Sequence, residues 1–271
     1  MFEYAAVKVA KTAYVIANTG ALANGPFANV TTEADLKAVT GDLISGNAAT
    51  QTKNNLWMSG TDDITFSGTD GSVTVQLGFV AAKIELIVKD NRTNLTGGTI
   101  EITDENVVLL YAGKSGKFFG TTADKAAQTA FYSGDISYPD FQTGVATESA
   151  VLKDAVGAAF TANANGDVFN HFYTFGNDGT SKPTILAIQS KRTVGGADET
   201  IYYPIQFTVA DAGNTIEPGN AYTVTLTLNG DVSAGGGGGT TNPEQPLVKS
   251  QITVTVTAAT WLAKTVSKDF N

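Results

Sequence analysis

The strongest repeating signal in the chain has a period of two. Tyr222, Val224, Leu226 and Leu228 alternate with Thr223, Thr225 and Thr227, and Ile252, Val254 and Val256 alternate with Thr253, Thr255 and Thr257. Successive strand side chains point to opposite faces, so this spacing puts one face on a core and the other in water, as antiparallel sheets require. β-Branched residues suit the pleated surface as well. The same reasoning predicts strands over 5–9, 12–17, 63–66, 72–77, 82–88, 99–103, 184–189 and 200–207, with a turn at Gly68-Thr69-Asp70-Gly71. Val107-Val108-Leu109-Leu110-Tyr111 lacks alternation and reads as a strand buried on both faces.

Helical signals are few. Thr32 stands as a cap ahead of Glu33, Asp35 and a later Lys37, which predicts a short helix over 32–39. A second helix is expected over Thr147 to Ala159. Short strands separated by turn residues point to an all-β protein built of sandwiches with few short helices. The length of 271 residues accommodates two, read as 1–145 and 146–271 with the division in the loop-like stretch 125–150. Five glycines, Gly235 to Gly239, separate two of the clearest strands. They read as a long hairpin loop, the alternative being a hinge, because lengthening a flexible loop costs little entropy.

Composition narrows the function. At 42% hydrophobic residues the chain can bury a core, while charged residues, at 16%, fall below the usual quarter and leave Thr, Gly, Ala, Asn and Ser to form the surface. Such a surface suits an extracellular β protein. The net charge of −9 argues against nucleic acid, whose phosphates it would repel, and against an anionic membrane surface. The absence of cysteine excludes disulfides and thiolate metal sites. No run of eighteen apolar residues spans a bilayer, and Met1 to Ala10 lacks the regions of a signal peptide, so an exported, processed form without its targeting segment is expected.

The search for chemistry returns no catalytic residue, cofactor site or metal site. His171, the single histidine, lies in the strand-like run Asn170-His171-Phe172-Tyr173-Thr174-Phe175 and reads as a strand side chain rather than a base. Asp62, Asp63 and Asp70 cluster where turns are expected, and their spacing does not match a calcium-binding loop. No nucleophile elbow, phosphate loop or dinucleotide fingerprint is present.

Several segments, in order along the chain, resemble the fimbrillin family, the FimA-like and Mfa-like pilins that build type V pili of Bacteroidales. They are Thr12 to Asn18 followed by Thr32 to Leu36, Leu56-Trp57-Met58-Ser59-Gly60, Phe79 to Leu86, Asn220 to Val224, and Val254 to Trp261. Gly78-Phe79 stand where an arginine is common in the family. The resemblance implies two transthyretin-like sandwiches, a lipoprotein precursor, and removal of an N-terminal strand by an arginine-specific protease. It also implies polymerisation by strand exchange with identical or related subunits into a fimbria on the outer cell surface. The donor candidate is 261–271, with Trp261, Leu262, Thr265, Val266 and Phe270 as anchors. Its alternative reading is an ordinary final strand. A stalk subunit is the first reading. A tip or anchor subunit, and a surface carbohydrate-binding protein displaying aromatic side chains, are the alternatives. Neither an enzyme activity nor an adhesion receptor is implied.

Overall fold

The computed structural model describes residues 11–18, 26–41, 56–68, 70–92, 98–103, 106–120, 130–132, 152–155, 167–233, 238–247 and 252–270. The expected all-β architecture is found. The first part of the chain forms β1 Thr12–Ala17, helix α1 Glu33–Ala38, β2 Thr40–Gly41, β3 Met58–Asp63, β4 Thr65–Ser67, β5 Asp70–Phe79 and β6 Ala82–Asp90. Then follow β7 Thr99–Glu101, β8 Val107–Leu110, β9 Ala112–Gly113, β10 Gly116–Lys117, β11 Phe131–Tyr132 and β12 Lys153–Ala155. The last are β13 Asp167–Thr174, β14 Ile185–Val194, β15 Ala197–Gln206, β16 Asn220–Leu228, β17 Ile252–Thr260 and β18 Leu262–Phe270.

Three larger sheets carry the fold. One has the order β12-β13-β6-β16-β17, the second β1-β3-β5-β18 with β4 also on β5, and the third β15-β14-β7 with β8 also on β14. The Thr-alternating segments pair with each other, Val224 opposite Val256 and Thr225 opposite Thr255. Their apolar positions face inward, so Tyr222, Val224, Leu226 and Leu228 are buried while Thr253, Thr255 and Thr257 stay in water. Because β16 and β17 are antiparallel neighbours, the glycine-bearing segment between them is a hairpin connection; its residues 234–237 lie outside the described set. The described part docks back, with Thr240 and Tyr202 exchanging backbone hydrogen bonds of 2.8 and 3.0 Å. That bridge covers the outer edge of β15, the strand that also carries Pro204.

Local chemistry explains the short elements. The Thr32 hydroxyl accepts from the Asp35 amide, and the Asp35 carboxylate accepts from the Thr32 amide, a reciprocal cap on α1. Gly195 and Gly196 both adopt positive φ, 58° and 86°, and join β14 to β15 in a two-residue hairpin. All four residues of β8 are buried, as its unbroken apolar run predicts.

Some expectations are corrected. Lys153–Ala155, inside the expected second helix, is a strand pairing with β13; apart from Leu152, the rest of that helix lies outside the described residues. The strand expected over 63–66 breaks at Ile64, whose amide turns to the Lys11 carbonyl. The strand expected over 99–103 ends at Glu101. The strand expected over 5–9 and residues 145 and 146 lie outside the described residues. Hydrogen bonding nevertheless crosses the expected division, because β6 lies between β13, antiparallel, and β16, parallel. A parallel neighbour requires a long crossover, which local patterning does not announce.

Candidate functional site

The C-terminal segment joins two sheets through a single residue. β17 pairs with β16, Trp261 follows, and β18 then runs antiparallel to β5 at the edge of another sheet. Trp261 fixes the joint. Its amide donates to the Gly219 carbonyl at 2.7 Å, and its ring stacks on Phe79 at 3.8 Å and lies parallel to Tyr173 at 5.8 Å. Phe79 ends β5 and Tyr173 belongs to β13, so one indole bridges the two sheets.

Among the other anchors expected from sequence, Leu262 pairs with Gly78, Thr265 with Gln76, Val266 with Val75 and Phe270 with Gly71. The register slips between Leu262 and Lys264, a bulge that leaves Lys264 opposite Leu77. β5 alternates cleanly, with Val73, Val75, Leu77 and Phe79 buried. On β18 the described side chains Thr265, Val266 and Ser267 are exposed, Val266 at 37%. Thr265 and Ser267 lie on the outer face, while Val266 shares the inner face with buried Val75 and sits at its open rim. Over these three residues the side chains add little burial, and the backbone ladder is helped by a Thr74–Ser267 hydroxyl contact of 3.1 Å. In the single chain the β5 edge is filled by the chain's own tail. A one-residue tether keeps the tail at a very high effective concentration beside that edge.

The acceptor side escaped sequence analysis. Ser72 to Leu77 announced a strand, but nothing local marks which of its edges lies open. Phe79 and Tyr173 look like ordinary core aromatics until Trp261 is placed between them.

A concavity of about 640 Å³ is lined by β1 and β3, by α1 and by Phe118-Phe119-Gly120. There the Tyr14 hydroxyl donates to Glu33, Lys37 pairs with Glu33 at 2.7 Å, and Phe119 meets the Tyr14 ring edge-on at 5.1 Å. The Lys37 ammonium and then the Tyr14 hydroxyl hold the Glu33 carboxyl below its ordinary value. These groups satisfy one another. Asp63 accepts from Thr12 at 3.0 Å and Asp62 from the Asp63 amide at 2.8 Å, while Asp70 begins β5 opposite Ser67. Among the described residues, no group of three or more His, Cys, Asp or Glu is placed to hold a metal ion. His171 is a half-buried strand side chain whose Nε2 lies 2.8 Å from Glu85. Trp57 stacks on Phe118 at 4.6 Å over Gly41, where any Cβ would strike the indole. Both tryptophans are thus packed rather than displayed.

The model of the FimA-like major fimbrial subunit protein, C-terminal domain, matches residues 81–261. The chain belongs to this family. The major fimbrial subunit protein FimA also matches, over residues 3–103. Among solved structures, a candidate cell adhesion protein of Bacteroides eggerthii is 62% identical, with a TM-score of 0.75 over 93% of this chain and 78% of that one. Two candidate cell adhesion proteins of Parabacteroides distasonis share the fold at 15% and 14% identity. Their TM-scores are 0.54 and 0.52, over 92% and 93% of this chain and 74% and 84% of theirs. The comparison with curated proteins returned no match. The FimA-like family is one of structural fimbrial subunits, which places this chain among the self-associating components of surface fimbriae rather than among enzymes. Among the described residues no helix is long and apolar enough to cross a membrane.

Proposed function

We propose that the chain is a stalk subunit that polymerises head to tail by lending β18 to the β5 edge of the next copy. The observation that carries this reading is the edge ladder from Leu262 to Phe270 on β5, whose described side chains, Thr265, Val266 and Ser267, are all exposed. A strand held mainly by backbone hydrogen bonds, each contributing about 0.5–1.5 kcal/mol net, exchanges for an identical strand with little change in energy. Main-chain pairing at a sheet edge gives affinity whichever copy supplies the strand. Head-to-tail exchange that does not close into a ring builds a filament. The division into two transthyretin-like units becomes, in this proposal, one unit on the β1-β3-β5-β18 sheet and one on the other two. They meet at Val80–Ala81, where the C-terminal family domain begins to match.

Electron microscopy of the purified chain with and without residues 262–271 tests the proposal. Filaments are expected from the intact chain only, and the truncated chain is expected to bind a synthetic 261–271 peptide that the self-capped chain excludes. Equal filament yield from both forms would sink the reading.

A further inference from the structure

The outer edges of the sheets are not equally protected. β15 is covered by the Thr240 bridge and carries Asp198, Glu199 and Pro204. β18 carries Lys264 and Lys268 and a bulge. β12 is three residues long and β1 six. Charges, prolines, bulges and shortness are the usual devices that keep edges from pairing. β17 has none of them. Its nine residues, Ile252 to Thr260, contain no charge, proline or glycine, and no described strand pairs with its outer edge.

Two hydrogen bonds identify the backbone groups that look outward. The Trp261 amide donates to Gly219, and the Asn91 amide donates to Leu228. With the β16–β17 register, odd-numbered residues of β17 therefore bond to β16, and Ile252, Val254, Val256, Ala258 and Thr260 direct their N–H and C=O away. At the far end, Thr257, Ala258, Ala259 and Thr260 are all exposed.

We infer that this edge is an interface for β17 of a second copy, paired antiparallel about a two-fold axis at Val256. The strand complements itself in that arrangement. Val256 meets Val256 of the copy, Val254 meets Ala258, and Thr255 meets Thr257, so around the axis apolar residues share the inner face and hydroxyls the outer one, with Ile252 meeting Thr260 and Thr253 meeting Ala259 at the ends. The outward groups form roughly ten backbone hydrogen bonds. An uncharged edge on a chain of net charge −9 also gives two like-charged copies a place to approach. The contact is isologous and closes on itself, so it links two subunits side by side instead of extending a filament. It is independent of β18 exchange.

Sedimentation velocity on the full chain from about 10 μM to about 1 mM is the test, because so small an interface implies a dissociation constant on the order of 100 μM. Once any filaments are pelleted, the self-capped intact chain left in solution is expected to show a monomer–dimer equilibrium, weakened at least tenfold by Ala258→Pro. The Ala258 N–H makes no bond to β16, so this proline leaves the monomer's own ladder whole. Ala258→Lys, at an exposed position, should act alike and decides the matter if the proline variant fails to fold. A chain monomeric over the whole range overturns the inference, as do folded variants that dimerise like the parent. An open series of higher oligomers indifferent to both substitutions reports tail exchange alone and overturns it too.

Discussion

Replacing Trp261 by alanine is expected to lower the melting temperature by roughly 6–12 °C and to loosen β18 from β5. The indole bridges Phe79 and Tyr173, and truncating a packed aromatic of this size costs about 3 kcal/mol once the cavity left behind is included. For a chain of this length each kcal/mol shifts the midpoint by about 2–4 °C. The effect should be uneven. Hydrogen exchange at 262–270 should rise far more than in β16, because the joint that aims the tail is lost while the β16–β17 ladder stays. Trp261→Phe should recover much of both. Calorimetry and exchange spectra that show a uniform small loss would mean that the indole is filler and not the joint.

The second large effect is expected at Arg92, which lies between β6 and β7 where the chain passes from one sheet to another. Its side chain is only 3% exposed and meets Asp90 through two nitrogens at 2.9 and 2.7 Å while a third donates to the Gly98 carbonyl at 2.9 Å. Arg92→Ala leaves the half-buried carboxylate with the residue-92 amide but without its charged partner, and takes the side-chain donor from the Gly98 carbonyl, at a cost of about 3 kcal/mol. The pH dependence should change sign with it. In the intact chain burial pushes the Asp90 carboxyl up, but hydrogen bonds from Arg92 outweigh it and hold the group below 3.8, its ordinary value. A carboxyl lowered by folding contributes stability above its unfolded pKa, and this is lost as pH falls through the folded value. Without the Arg92 side chain, burial is opposed only by the residue-92 amide, which still donates to Asp90 at 3.1 Å and is the weaker influence, so the carboxyl moves above its ordinary value, and acidification from pH 6 to 4 should then recover stability relative to neutral pH. Denaturant midpoints measured across that range distinguish the two slopes.

Much of this molecule is legible residue by residue. The Thr alternation of β16 and β17, the unbroken apolar run of β8 and the cap at Thr32 each follow from neighbours a few positions away. The ordered segments that resemble fimbrillins lead to the family that the 81–261 match shows. The expected helix over 147–159 fails at Lys153–Ala155, where pairing with β13 overrides local propensity. The division near 145 falls outside the described residues, and local pattern does not announce that β6 finds its neighbours more than 75 residues downstream in β13 and more than 130 in β16.

By itself, then, the order of residues determines that this chain makes strands, where most of them run and which face of each is apolar, since side-chain period and capping act over one or two turns of backbone. Only the tertiary structure decides which strands become neighbours, that Trp261 joins two sheets, and that the tail rests on β5 while no described strand pairs with the outer edge of β17. Those choices are made by competition among edges far apart in the chain, where closing a long loop costs little more than closing a short one and local pattern carries no address for the partner.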